Sequence, residues 1–259
     1  MKKIILIFAL IFFVGCMQNT TNVGHSEVDR TQLMLISSDE INEASAKAYG
    51  EVIEKARESN TLNKDPNLTN RVKNISNRLI AKTSYFRQDS AKWDWEVNVI
   101  TSDTINAWCM AGGKIAVYTG IIEKLNLNDD EIAFILAHEI AHALREHVRE
   151  QQSQEMIKSG LINVASVFGV DNTILGVANL AANVGISLPF SRSHENESDE
   201  IGLELAYMAG FNPDGAASLW TKMQEHSGDG GLEFLSTHPS HENRIKNLQA
   251  LAAKLKASS

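Results

Sequence analysis

Asp129-Asp130-Glu131-Ile132-Ala133-Phe134-Ile135-Leu136-Ala137-His138-Glu139-Ile140-Ala141-His142-Ala143-Leu144-Arg145-Glu146-His147-Val148-Arg149 is the stretch around which the chain is organised. Asn126, Asn128 and Asp129 offer capping side chains, and Asp129, Asp130 and Glu131 put negative charge where a first helical turn favours it. Ile132, Ile135, Leu136, Ile140, Ala143 and Leu144 follow helical spacing, and no Gly or Pro interrupts them. The spacing predicts one amphipathic helix. Within it His138-Glu139-x-x-His142 places two imidazoles four residues apart on one face. Two such nitrogens suit Zn²⁺, and Glu139, beside the first of them, can reach a metal-bound water. The bland alternative is a chance match on an ordinary helix. A buried histidine pair without a metal would be costly polar burial, which argues against it.

Working outward, residues 37–57 read as a helix capped by Ser37 or Ser38, and residues 67–84 as a second, with Leu68, Val72, Ile75, Leu79 and Ile80 on one face. Trp93, Trp95, Val97, Val99 and Ile100, then residues 106–110, then residues 114–119 read as three strands. They form a small antiparallel sheet just before the histidine helix, with a turn at Ala111-Gly112-Gly113. An exposed sheet edge binds an extended peptide through main-chain hydrogen bonds, and Lys114, Ile115, Ala116 and Val117 are the candidate substrate strand, with residues 106–110 as the other choice. Residues 156–188 are rich in small and apolar side chains and read as two helices covering the site, with a membrane-dipping hairpin as the lesser reading. Residues 194–208 form a further helix, Gly210 ends it, Asn212-Pro213 starts another, and residues 242–256 form the last. The fold class is α+β and mostly helical.

The 259 residues, 43% of them hydrophobic and 22% charged, suffice for a sizeable core. A formal charge of −8 argues against nucleic acid as a partner, because phosphate binding needs clustered Lys and Arg. Lys2 and Lys3 followed by an apolar run from Ile4 to Val14 read as a signal peptide over residues 1–15, too short to span a bilayer. The run ends at Phe13-Val14-Gly15-Cys16, which resembles a bacterial lipobox. The expectation is a chain lipidated at Cys16, tethered by polar residues 16–36 and followed by a metallopeptidase domain over residues 37–257. The lipid makes the membrane a partner. With Met17 and Gln18 after the cysteine, the expected address is the periplasmic face of the outer membrane in a bacterial envelope. Cys109 is then the only cysteine of the mature chain and reads as a small buried apolar residue.

Catalytic zinc takes three protein ligands plus water, so one ligand is still to be found. Glu195, Glu197, Asp199, His194, His226, His238 and His241 are the candidates. Glu195 and Asp199 share a helical face, so one could bind metal while the other fixes a ligand imidazole. Glu197 points elsewhere and reads as solvated. His147, five residues past His142, reads as rotated off the metal face, and His194, His226 and His241 read as surface residues.

The ordered set His138-Glu139-x-x-His142, Glu195-x-x-x-Asp199 and Thr237-His238-Pro239 resembles metallopeptidase family forty-eight, which contains HtpX-like heat-shock proteases, BepA-like periplasmic proteases and CAAX prenyl proteases. Ser191-Arg192-x-x-Glu195-x-Glu197-x-Asp199 and the pair Asn106-Ala107-Trp108 and Gly112-Gly113-Lys114-Ile115 look like its soluble, lipoprotein or mitochondrial-type branch. The likeness covers residues 37–253. It implies a gluzincin-type zinc endopeptidase acting on polypeptides, with His138, His142 and Glu195 as ligands, Glu139 as general base and Asp199 behind a ligand. It places His238 near the metal, either as a regulatory fourth ligand or as a transition-state hydrogen-bond donor. Two biological readings stay open: cleavage of misfolded or misassembled envelope proteins, and an assembly factor or chaperone for outer-membrane proteins whose metal site is latched, working with envelope assembly machinery.

Overall fold

The computed structural model describes residues 16–158, 189–226, 233–239 and 243–258. The expected signal peptide and most of the apolar segment 156–188 lie outside them. In chain order come β1 (Met17–Gln18), β2 (Gln32–Leu33), α1 (Ser38–Glu58), α2 (Pro66–Ile80), β3 (Glu96–Ile100), β4 (Ala107–Met110), β5 (Lys114–Tyr118), α3 (Thr119–Lys124), α4 (Asp129–Leu144), α5 (His147–Lys158), α6 (Arg192–Met208), α7 (Asp214–Glu225), α8 (Glu233–Thr237) and α9 (Arg244–Ala257). Among the described residues no helix is long and apolar enough to cross a membrane.

Helix α4 is the spine. Asn128 caps it, accepting from Glu131 N at 3.0 Å while Asn128 N donates to Glu131 Oε2 at 2.8 Å, so two of its otherwise unpaired groups are satisfied together. Every residue from Glu131 to Leu144 is buried. That exceeds the single apolar stripe read from the sequence: α2, α6, α7 and β4 surround the helix. Its apolar residues join Val72, Ile75 and Leu79 of α2, Ile201, Leu203 and Leu205 of α6, and Leu219 and Trp220 of α7 in one core.

Gly202 decides how closely α6 approaches α4. A Cβ at that position would lie 2.8 Å from His138 N and 2.9 Å from His138 Cα, nearer than side-chain carbons come to backbone. The missing side chain lets the helix carrying Glu195 and Asp199 lie directly on the helix carrying His138 and His142. Gly202→Ala is therefore expected to lower stability by about 1–3 kcal/mol through overpacking. Thermal unfolding checks it, and an unchanged midpoint would show that the helices separate freely.

The three-stranded sheet has the order β3-β5-β4. β4 pairs antiparallel with β5, joined by the predicted turn, where Gly112 and Gly113 adopt φ of +77° and +85°. β3 pairs parallel with β5, so the sheet is mixed rather than wholly antiparallel. This corrects the substrate-strand expectation. Lys114, Ile115, Ala116 and Val117 lie in the central strand, with both backbone edges already engaged by β3 and β4. Among the described residues β3 and β4 are the two edge strands: residues 61–63 bond β3 around Val99 and Ile100, and no strand pairs with the outer edge of β4, residues 107–110.

Residues 16–36 are not a free tether. β1 and β2 pair antiparallel, Asn22 N donates to Phe86 O at 2.7 Å, and Glu204 accepts from His25 N at 2.9 Å and Ser26 N at 2.8 Å. Val28 and Met34 are buried. The segment is held by polar partners on α6 and α5, which composition alone does not disclose. Cys16 stands at its start, partly buried, its carbonyl accepting from Met34 N at 2.8 Å.

Candidate metal centre

One turn of α4 brings His138 Nε2 and His142 Nε2 to 3.1 Å. From α6, Glu195 Oε1 lies 3.4 Å from His142 Nε2, and Glu195 Oε2 lies 3.6 Å from His138 Nε2. His238, just past α8, places Nδ1 3.0 Å from Glu195 Oε1 and 3.4 Å from His138 Nε2. One ligating atom from each of His138, His142, Glu195 and His238 falls within 4.8 Å of the others, and all four residues are buried. Two helices and the segment after a third thus converge on one point, and the sequence-predicted set meets there. Of the remaining candidates, His194, Glu197 and Asp199 lie behind the group, His226 bonds Lys222 O, and His241 lies outside the described residues.

The site fits a metal on its own chemistry. Imidazole nitrogens and a carboxylate all aim lone pairs inward, an arrangement that repels itself unless a cation or shared protons occupy the middle. Glu195 Oε2 is buried and accepts no hydrogen bond. Arg244 Nη1 lies 2.8 Å from it but outside hydrogen-bond alignment, so the contact is electrostatic and a lone pair stays free. Glu195 is held well below the usual carboxylate range: burial opposes this, but His238, His138 and His142 together prevail. Burial pushes His142 well down, toward the neutral imidazole that a ligand must be.

Glu139 points into the same cleft, its Oε1 3.5 Å from His238 Nε2 and without a hydrogen bond. Burial, aided by Glu195, raises its carboxyl to about 7 against the opposing pull of His238 and Arg244. The cleft wall continues through Asn106, Ala107, Trp108, Cys109 and Met110, so the open edge of β4 faces the metal group and Glu139. Cys109 is buried, and desolvation raises its thiol well above the ordinary value, consistent with a packing role.

Asp199 Oδ1 accepts from His138 Nδ1 at 3.0 Å, fixing that ring from behind. Arg244, at the start of α9, grips Asp199 with Nη2 at 2.8 Å and stacks over Trp220 at 3.6 Å. Sequence reading passed over Arg244, because one arginine beginning an amphipathic helix carries no motif. Sequence reading placed His147 off the metal face, where it lies, but misplaced Glu197 and His194. Helix α4 stops at Leu144, Glu146 takes φ of +52°, and a new helix begins at His147. That break turns His147 back behind His142. Glu197, expected in solvent, is buried and meets His147, Arg145 and Arg30. His194, expected at the surface, is buried, stacks on His147 at 4.4 Å and bonds Glu150.

A sequence model of Peptidase family M48 matches residues 66–252. The chain belongs to this family of metallopeptidases. It is 37% identical over 158 residues to the mitochondrial metalloendopeptidase OMA1 of Schizosaccharomyces pombe, covering 60% of this chain and 46% of that protein. It is 36% identical to the mitochondrial metalloendopeptidase OMA1 of Arabidopsis thaliana, covering 60% of this chain and 31% of that one. It is 27% identical over 220 residues to the β-barrel assembly-enhancing protease of Yersinia pestis, covering 79% and 43%. The chain thus spans less than half the length of these relatives. The matches divide between the two kinds, so they support the family rather than one branch of it. Because the better-matched relatives are mitochondrial proteins, they overturn the expected bacterial address, lipid-anchored at the outer membrane and facing the periplasm.

Proposed function

We propose that this chain is a zinc-dependent endopeptidase in which His138, His142 and Glu195 hold the metal, Glu139 is the general base, and His238 latches the resting site. The observation that carries the reading is the meeting of four buried ligand atoms within 4.8 Å, beside a carboxylate raised to about 7 and an open strand edge. Bound zinc supplies Lewis acidity, lowering the pKa of a water toward neutrality and polarising the scissile carbonyl. Polypeptide is the substrate class. An extended segment of it lies along β4, residues 107–110, using main-chain hydrogen bonds that require no particular side chains. Glu139 takes a proton from the attacking water and returns it to the leaving amine, a task its raised carboxyl suits near neutral pH. Asp199 keeps the proton of His138 on Nδ1, which leaves Nε2 as the donor atom toward the metal. The name of the β-barrel assembly-enhancing relatives favours clients that are proteins under assembly.

Chelation tests the reading. Treatment with a strong chelator, followed by its removal, is expected to abolish casein cleavage, and stoichiometric zinc to restore it while magnesium does not. Cleavage that survives complete removal of metal would refute a metallopeptidase.

A further inference from the structure

The two histidine ligands proposed above are held from behind in different ways. His138 meets a carboxylate directly, through Asp199. His142 meets another imidazole: its Nδ1 lies 3.0 Å from Nδ1 of His147. The other ring nitrogen of His147, Nε2, lies 3.1 Å from Glu197 Oε2. Burial beside His194, Arg145 and Arg30 favours a neutral His147, and for a neutral ring the hydrogen bonds place each proton along this line. Glu197 as a carboxylate only accepts, so His147 carries its proton on Nε2 and bares Nδ1. His147 Nδ1 then accepts, so His142 carries its proton on Nδ1. That leaves His142 Nε2, the atom facing His138 and Glu195, with its lone pair free. For a neutral His147 the opposite arrangement sets two lone pairs against each other at 3.1 Å beside Glu197 in a dry interior, and Ser198 Oγ, 3.3 Å from His147 Nδ1, is a second donor for the same bare nitrogen.

Glu197 is itself locked. Arg145 Nε donates to Oε2 at 2.8 Å, and Arg30 reaches both Glu197 oxygens while forking Glu150 at 2.6 and 2.7 Å. Arg30 lies in the N-terminal segment, whose Gln32 also bonds Arg145 O and Glu150 at 2.7 and 2.8 Å. Two cations therefore face two carboxylates in a buried cluster, and one of the cations comes from outside the peptidase helices.

We propose that His147, its proton fixed by Glu197, is the positioning residue for His142, and that Arg30 of the N-terminal segment locks this relay. The inference rests on His142 being a metal ligand. Replacing Glu197 by Leu removes the acceptor at His147 Nε2, whereas Gln would keep a carbonyl oxygen there because Arg145 and Arg30 donate to the same atom. Without that acceptor His147 is free to carry its proton on Nδ1, which puts a proton on the metal-facing atom of His142. His147→Phe removes the acceptor, whereas His147→Gln can still present a carbonyl oxygen to His142 Nδ1.

Zinc affinity by chelator competition and the visible d–d spectrum of the Co²⁺-loaded protein read this out without recourse to activity. Glu197→Leu and His147→Phe are expected to weaken zinc about 10–100-fold and to shift the Co²⁺ bands, the usual scale for residues behind a ligand. His147→Gln is expected to recover most of the loss. Arg30→Met is expected to give a smaller loss of the same sign; its side chain is 34% exposed, so it carries the test if the buried variants do not fold. Glu204→Gln removes another anchor of the N-terminal segment away from the relay and is expected to leave zinc affinity and spectrum unchanged. Wild-type affinity in every relay variant that folds, Arg30→Met included, or equal weakening by Glu204→Gln, overturns the proposal. Absence of stoichiometric metal binding by the wild-type protein would instead overturn the metal site itself.

Discussion

Glu139→Gln is expected to lower kcat/KM for a peptide substrate by about 10²–10⁴-fold, the range a positioned general base supplies, with metal content unchanged. The substitution is nearly isosteric, and Glu139 is no member of the four-residue ligand group, so the metal has no reason to leave. Its Oε1 has no hydrogen bond to lose. What disappears is the negative charge and with it the capacity to take up a proton, while the amide oxygen can still accept the Cys109 backbone hydrogen bond. The pH profile of the wild type carries the complementary test. A base must be ionised to act, so activity rises as pH increases through its ionisation. Burial sets that at about 7, and a cation among the neighbouring ligands draws it lower, so the acid limb of kcat/KM is expected at or below about 7. A Glu139→Gln protein that retains both zinc and full activity would assign the proton transfer to another group.

The parts of this site legible in the sequence are those that depend on local spacing. His138 and His142 are four residues apart on a helix with a readable cap, and helix geometry alone places their nitrogens together. Glu195 and Asp199 share the same four-residue logic, but linking them to α4 took the resemblance, because nothing local says which helix packs on which. Gly202 makes that contact close, and a lone glycine in a helix announces no partner. The sheet was legible as strands but not as an order: residues 114–117 look like an ideal edge, and only the pairing of β3 with β5 puts them in the middle. The polar cluster behind His142 was the least legible. Arg145, Glu150, Glu197 and His194 are residue types found in solvent, and their burial depends on mutual pairing and on the half-buried Arg30. The helix break after Leu144, with Glu146 at φ of +52° and neither Gly nor Pro nearby, concealed the one histidine that connects this cluster to the site.

His238→Ala is expected to raise casein cleavage by about tenfold, the gain from removing a latch closed some 90% of the time, because apparent activity scales with the competent fraction. Two roles compete for this residue, and its place within the ligand group is why we propose the latch. A transition-state donor belongs beside the scissile carbonyl, offset from the ligands. A latch belongs in the position that water needs. His238 Nδ1 lies 3.0 Å from Glu195 Oε1 and 3.4 Å from His138 Nε2, inside the ligand group, and its ring stacks on Phe234 at 4.3 Å and meets Phe190 at 5.3 Å. Its other nitrogen faces Glu139 at 3.5 Å, so the same side chain stands between the base and the centre the base serves. Withdrawing it frees both at once. The double variant Glu139→Gln/His238→Ala is expected to stay inactive, since an open site without a base has nothing to turn over. Weaker zinc retention in His238→Ala together with faster cleavage would mark a ligand whose loss activates. A fall in cleavage at unchanged zinc content would make His238 a transition-state donor and leave the resting site open to water.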